Sequence, residues 1–168
     1  MLKEKIKENL KNSLKGQRKI EVSILRLLLA SILNKEKEKR AKIAKAEKGL
    51  KEEELVKKSQ LTDEEIMEVV SSEVKKNKEA ILEFEKGKRE DLVERESQEI
   101  EVLKKYLPEQ LSEREIEELA KEIIEEIGAK NLKDLGKVMG NLIPKVKGRA
   151  EGEKVAQIVR DLLSPESD

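Results

Sequence analysis

The sequence predicts an all-α protein, and three observations carry that prediction. Apolar residues recur at spacings of three and four along most of the chain. Two boxes of the Ser/Thr-x-x-Glu type, Thr62-Asp63-Glu64-Glu65 and Ser112-Glu113-Arg114-Glu115, stand where helices should begin. No segment sustains the period-two alternation of a half-buried strand. Of 168 residues, 44% are charged and 1% aromatic, the latter being Phe84 and Tyr106, so the core must be built from Leu, Ile and Val. A chain this charged would stay disordered if its apolar residues were scattered, and their periodicity argues against that.

The elements follow in order. Leu2, Ile6, Leu10 and Leu14 form the stripe of a first amphipathic helix, ended by Gly16. From Ile20 to Leu33 the sequence IEVSILRLLLASIL is apolar almost all round, which predicts a central, buried helix. Arg26 lies inside it. Its expected fate is a buried or half-buried ion pair with a carboxylate of residues 59–107, a functional anion contact being the other reading. The polar stretch that follows reads as a projecting helix end, a long charged helix or a mobile insertion, interrupted by Gly49. Thr62 then caps a helix with Ile66, Val69, Val70, Val74, Ile81 and Phe84 inward, which Gly87 closes or bends. The next helix carries Leu92, Ile100, Leu103 and Leu107, and Pro108 stops it. Tyr106 reads as a ring packed at this point with its hydroxyl bonded, and base stacking is the alternative.

Ser112 caps a short helix with Ile116, Leu119, Ile123 and Ile127 inward, and Gly128 ends it. Asn131 caps the next, with Leu132, Leu135, Val138, Met139 and Leu142 inward and Pro144 as its end. The last helix starts near Glu151 and turns Val155, Ile158, Val159 and Leu162 inward. The polar tail SPESD is expected to fray. The chain therefore reads as an N-terminal helical bundle, 1–107, joined by the short hinge YLPEQLSE to a small three-helix C-terminal domain, 111–163.

Composition also narrows function. With no Cys and no His, the chain has no disulfide, no histidine-zinc site and no Ser-His or Cys-His pair. The charged N-terminus does not read as a signal peptide, and the longest apolar run, Leu27 to Ala30, is far too short to span a bilayer. A soluble cytoplasmic protein without membrane contact is the expectation. The Lys/Glu-rich, Cys-free composition also fits a heat-adapted source. Glu52-Glu53-Glu54 reads as a solvated helix face rather than a site for a hard cation. No phosphate-loop or dinucleotide motif appears, so no metal, cofactor or catalytic residue is expected. The neutral net charge hides two basic regions. Residues 1–58 hold 18 Lys/Arg against 9 Asp/Glu, and residues 128–150 hold six against Asp134 alone. Such patches suit a polyanionic partner.

Four of the eight glycines fall in GKVMGNLIPKVKGRAEGEKV, residues 136–155. Each costs a helix roughly 1 kcal/mol against Ala. One reading is packing. Gly136 and Gly140 would let a neighbouring helix approach, while Gly148 and Gly152 would supply turn geometry. The other is binding. Lys137, Lys145, Lys147 and Arg149 would surround an exposed loop leading into a helix N-terminus, where backbone and cations suit phosphate.

Four stretches are familiar together: VSILRLLLASI at 22–32, LTDEEIMEVV at 61–70, GKREDLVERESQEIEVLKKYLPEQLSEREI at 87–116 and GKVMGNLIPKVKGRAEGEKVAQIVRDLL at 136–163. They resemble the YqeY family and the related C-terminal tail domain of the B subunit of the tRNA-dependent Asp/Glu amidotransferase (GatB/YqeY). The resemblance implies a helical bundle joined to a small helical domain, with the catalytic body of the amidotransferase missing. It implies contact with tRNA near the outer corner of the L-shaped molecule, and carries that role onto Lys137, Lys145, Lys147 and Arg149. It implies no carbon–nitrogen ligase activity for this chain alone. Residues 41–60 look like an insertion, and Glu151 stands where the family often has Asp, a better helix cap. Two functions compete with an RNA-binding accessory: a protein-interaction adaptor docking onto an aminoacyl-tRNA synthetase or an amidotransferase, and an enzyme of amidase or ligase type. The scarcity of aromatic rings argues against reading single-stranded RNA by stacking.

Overall fold

The computed structural model describes residues 1–164 of the chain; the tail expected to fray lies, apart from Ser164, outside the described residues. Among the described residues are eight α-helices, one 3₁₀ turn and no strand. The chain divides into two compact units, the first ending at Leu107 and the second beginning at Pro108.

The first unit comprises α1 (Leu2–Lys15), α2 (Lys19–Ala46), α3 (Glu52–Lys58), α4 (Asp63–Lys86) and α5 (Glu90–Lys104). α2 is its centre and packs on the other four helices. Ile24, Leu25, Leu28 and Ile32 line its buried side, against Ile6 of α1, Ile66, Val69, Val70 and Val74 of α4, and Ile100 and Leu103 of α5. Each such side chain contributes about 1.5–3 kcal/mol by leaving water. The all-round apolar reading of α2 holds on only one side: Ile20, Leu27 and Leu33 are exposed. Arg26 is exposed too, and no carboxylate among the described residues pairs with it, so the expected buried ion pair is absent. The charge that α2 does bury is Glu36. Its carboxylate accepts two hydrogen bonds from Lys3 Nζ at 2.6 and 2.7 Å and one from the Leu61 amide at 3.4 Å. That pair ties α1 and the chain before α4 to α2, and removing either partner would strand the other's charge.

The stretch after α2 is a folded-back hairpin. α2 runs on to Ala46, the chain turns through Gly49 at φ 95°, and α3 returns along α2. Arg40 and Lys58 hold it there, through Glu52 at 3.5 Å and through Glu47. α4 opens on the predicted box. Thr62 Oγ1 accepts the Glu65 amide at 3.2 Å, and the Glu65 carboxylate accepts the Thr62 amide at 2.8 Å. The corners after α1 and α4 are alike, Lys15-Gly16-Gln17-Arg18 and Lys86-Gly87-Lys88-Arg89. In both, the left-handed residue is the one after the glycine, Gln17 at φ 53° and Lys88 at φ 55°. α5 ends at Lys104, ahead of Pro108, and Leu107 sits in the turn that follows. Tyr106 is buried there, and its hydroxyl accepts Asn9 Nδ2 at 2.8 Å. Burial pushes that phenol above its ordinary range, the Asn9 bond opposing. The packed-ring reading holds.

The second unit comprises α6 (Glu113–Ile127), the 3₁₀ turn Leu132–Asp134, α7 (Leu135–Val146) and α8 (Gly152–Leu163), all three α-helices in mutual contact. Ser112 caps α6 as predicted, and Gly128 closes it in the left-handed region at φ 65°. Ile116, Ala120 and Ile123 meet Val138, Leu142 and Val146 of α7 and Val155, Val159 and Leu163 of α8. Two details differ from expectation. Leu132 is exposed, because the Asn131 cap starts a 3₁₀ turn that points it outward. Pro144 lies inside α7 and does not end it. A proline there removes the N–H that would reach the Gly140 carbonyl. Gly140 is exposed, so solvent can meet that oxygen and the helix continues for two more residues.

Candidate nucleic-acid interface

α7 is two-faced because its sequence is. Val138, Leu142 and Val146, four apart, take the core side. A residue two places from any of them lies about 200° around the axis, hence on the opposite side. That arithmetic sets Gly136, Gly140 and Pro144 outward, and all three are exposed. A Cβ added at Gly136 or Gly140 would meet nothing within 4 Å. Among the described residues of this unit, no neighbouring helix approaches these two glycines, and the packing reading fails for them there. They leave a strip of bare helix backbone facing solvent.

Exposed cations stand on the same helix, Lys137 next to the strip and Lys145 further around the axis. Lys137 is exposed, with Nζ 3.8 Å from Asp134 Oδ1. Asp134 is itself held below the usual carboxylate range, first by the Lys130 amide bonded to it at 3.1 Å and, less, by Lys137. Lys145 is exposed two turns further along, and Asn141 lies between them, its amide donating to the Lys137 carbonyl at 2.9 Å. Positions 137, 141 and 145 share one side of the helix. Leu132 and Ile143 add exposed aliphatic surface nearby. Lys147 is exposed just past the helix end.

Arg149 stands apart from the three lysines. It is half-buried, its Nε donates to the Glu109 carbonyl at 3.3 Å, and its own carbonyl accepts the Leu111 amide at 2.8 Å. Gln110 Nε2 donates to the Gly148 carbonyl at 2.9 Å. The Arg149 charge also helps to hold Glu115 below its ordinary range, behind the Ser112 hydrogen bonds that come first. Arg149 is thus the clamp that fastens residues 109–111 to the loop after α7. Gly148, at φ 73°, supplies the left-handed turn that this loop needs, as expected. Gly152 is the first residue of α8 and needs no special conformation. A Cβ there would lie in ordinary contact with Ile143 Cδ1, at 3.9 Å.

The N-terminus of α8 is less open to phosphate than the sequence suggests. Glu151 caps it without a side-chain capping bond, and Glu153 stands in its first turn. Glu113, held low by the Lys154 hydrogen bond at 2.8 Å, lies beside it on α6. Those acids already complement the positive end of the helix. The structure therefore sets Lys137 beside Gly136 and Gly140, leaves Lys145 exposed but about 140° around the axis from Gly140, and gives Arg149 and the α8 terminus other partners. Sequence reasoning passed over Asn141 and Ile143 and placed Leu132 in the core. For Asn141 the signal was available, since its spacing of four from Lys137 and Lys145 places it between them. Among the described residues no group of Asp and Glu is arranged to hold a metal ion, and no helix is long and apolar enough to cross a membrane.

Comparison with known proteins bears on the same elements. The family profile described as "Yqey-like protein" matches residues 34–163, from the polar half of α2 to the end of α8. A protein of Pyrenophora tritici-repentis named "Altered inheritance of mitochondria protein 41, mitochondrial" is 28% identical over 162 residues, which is 95% of this chain and 79% of that protein. An uncharacterized protein of Schizosaccharomyces pombe is 41% identical over 51 residues, covering 30% of this chain and 42% of its own length. With the profile spanning most of the sequence and both helical units, the chain belongs to the YqeY-like family.

Proposed function

We propose that the protein is a non-catalytic accessory of tRNA or another structured RNA, and that it contacts the RNA backbone through the outer face of α7. One observation carries this reading: an exposed helix face bared by Gly136 and Gly140, with Lys137 beside it and Lys145 exposed near the end of the same helix. Bare backbone lets a sugar-phosphate chain approach closely, and lysines on the same helix supply the counter-charge. Folded RNA is recognised in this manner, by shape and phosphate. Membership of the YqeY-like family supports the reading, because the family resembles the tail domain of a tRNA-dependent amidotransferase subunit. The cytoplasm is the proposed compartment. The Pyrenophora relative's name places that protein in mitochondria, and subcellular fractionation decides between them.

The test is filter binding to total tRNA across a salt series. Lys137→Ala, Lys145→Ala and Lys147→Ala together should weaken binding and flatten its salt dependence by about one unit of slope per phosphate contact removed. Arg149→Ala belongs in a separate arm, since it loosens the clamp and is expected to lower stability. If the triple lysine variant keeps both affinity and slope, the assignment of this face to RNA fails. A second reading, an adaptor that docks on a synthetase or amidotransferase without touching RNA, is favoured by Leu132 and Ile143, which offer a protein surface beside the glycines. Recovery of the same synthetase or amidotransferase from lysate before and after RNase treatment would support it.

A further inference from the structure

We propose that the tip of the α2–α3 hairpin, residues 42–51, is a second phosphate-contacting site for the structured RNA assigned above to α7. The inference rests on that reading and extends it to the first unit. Lys42, Lys45, Lys48 and Lys51 are all exposed and follow one another at spacings of three. Glu47 is the one acid among residues 42–51, and it is bound to Lys58. The four lysines are left without a counter-charge inside the tip.

A lysine without a carboxylate is ordinary in this unit and by itself points to nothing. The arrangement of these four carries the inference. In several places the chain sets an acid one turn from a lysine, as in Lys7 with Glu4, Lys76 with Glu73 and Lys104 with Glu101. At the tip the next lysine takes that place, and like charges at that spacing repel along a helix. The macrodipole of α2 accounts for Lys45, which lies in its last turn. It does not account for the others. Lys51 is the N-cap of α3, the end of a helix that disfavours a cation. Local stability therefore does not explain the row, whereas a polyanion that neutralises it does.

The hairpin is an arm fixed at its base. No residue from 37 to 58 belongs to the buried core of the unit, and α3 buries none of its own. Polar bonds hold it instead. Lys39 Nζ donates to the Glu65 carboxylate at 2.7 Å and to the Gln60 carbonyl at 3.2 Å, and Arg40 Nε donates to Ser59 Oγ at 3.3 Å. An arm that adds no residue to the core offers its surface, and holding it in place beforehand lowers the cost of binding. Its turn lies within residues 41–60, the stretch that reads as an insertion. No aromatic ring stands among residues 34–60 to stack on a base, so the contact is with phosphate.

The test is filter binding of the full chain to total tRNA across a salt series. One variant combines Lys42→Ala, Lys45→Ala, Lys48→Ala and Lys51→Ala. A second removes the same charge elsewhere in the unit, through Lys5→Ala, Lys11→Ala, Lys15→Ala and Lys19→Ala, all exposed positions. The α7 lysine variant stands beside them. The hairpin variant should lose about tenfold or more in affinity at low salt, and about one unit of salt slope for each phosphate contact removed. The second variant should stay within about threefold of the parent. All the substituted side chains are exposed, so thermal unfolding should match the parent. A hairpin loss with the α7 variant unchanged supports the hairpin and removes the α7 assignment. The reverse pattern overturns the hairpin alone. Equal losses from the hairpin and the second variant overturn it too, since net charge and not place would then set affinity. A parent that binds no tRNA at low salt overturns both sites. If that parent binds phosphatidylglycerol vesicles through the four hairpin lysines, the tip belongs to a membrane surface.

Discussion

Glu115 shows how a single side chain is asked to do two jobs in the second unit. Its carboxylate accepts the Ser112 amide at 2.8 Å and the Ser112 hydroxyl at 2.7 Å, and Arg149 adds an attraction. All three favour the charged form, so its pKa lies below the ordinary value of about 4.5. The linkage sign follows. A carboxyl with a depressed pKa in the folded state contributes stability above its unfolded pKa and loses it as pH falls through the folded one. Glu115→Gln keeps the shape of the cap and removes the charge. The parent should therefore melt above Glu115→Gln at pH 7, and the gap should close as pH drops below about 4.5. Melting curves from pH 7 to pH 3 check this, and a gap independent of pH would mean that the charge contributes nothing. Glu65, held low first by the Lys39 hydrogen bond and then by Thr62, places the same dependence in the first unit. Both boxes were legible in the sequence because a capping box is local chemistry, complete within four residues. Arg149 was not legible, since its partners at 109 and 111 lie about forty residues away and only the folded loop brings them together.

Helix faces were readable in part, and α7 shows where reading stops. The apolar spacing fixes Val138 and Leu142 as the inner side, and that alone sends Gly136 and Gly140 outward. The same spacing carries no information on whether the outer side meets another helix, and the packing reading failed there. α2 fails in the opposite way: apolar residues on every side predict burial on every side, while the fold of the described residues covers only one. Pro144 was misread because a proline rule for helix interiors weighs less where the orphaned carbonyl is exposed. The exposed glycines of α7 yield a prediction in which stability and function separate. Gly136→Ala and Gly140→Ala meet no neighbour, so each should stabilise the helix by about 1 kcal/mol. If the bare strip is a contact surface, the same two methyl groups should weaken tRNA binding. Chemical denaturation and filter binding on one preparation measure both effects. A double variant that is more stable and binds tRNA as well as the parent would show that the strip is not where RNA lies.

At the scale of the molecule, two separate apolar cores stand where a chain of this length could have built one. Each core closes within its own stretch of sequence, so each unit should fold by itself. The second is the sharper case, because a domain of about 60 residues buries little surface and depends on its last few kcal/mol. Its boundary is a physical statement about residues 108–111. Leu111 bonds to the Arg149 carbonyl, Gln110 to the Gly148 carbonyl, and the Glu109 carbonyl receives Arg149 Nε. A fragment starting at Pro108 keeps those three bonds, and one starting at Ser112 loses all of them while retaining every helix. At about 1 kcal/mol for each bond, and several degrees for each kcal/mol in a domain this small, the shorter fragment should melt roughly 5 °C or more below the longer. Circular dichroism on the two fragments makes the comparison. Equal melting temperatures would mean that the clamp is incidental and that Arg149 is available for other work. A longer fragment that folds also decides how much of the RNA reading belongs to α7. If it alone reproduces the affinity and salt slope of the full chain, the basic residues 1–58 take no part in binding. If its slope falls by several units, the first unit supplies the remaining phosphate contacts.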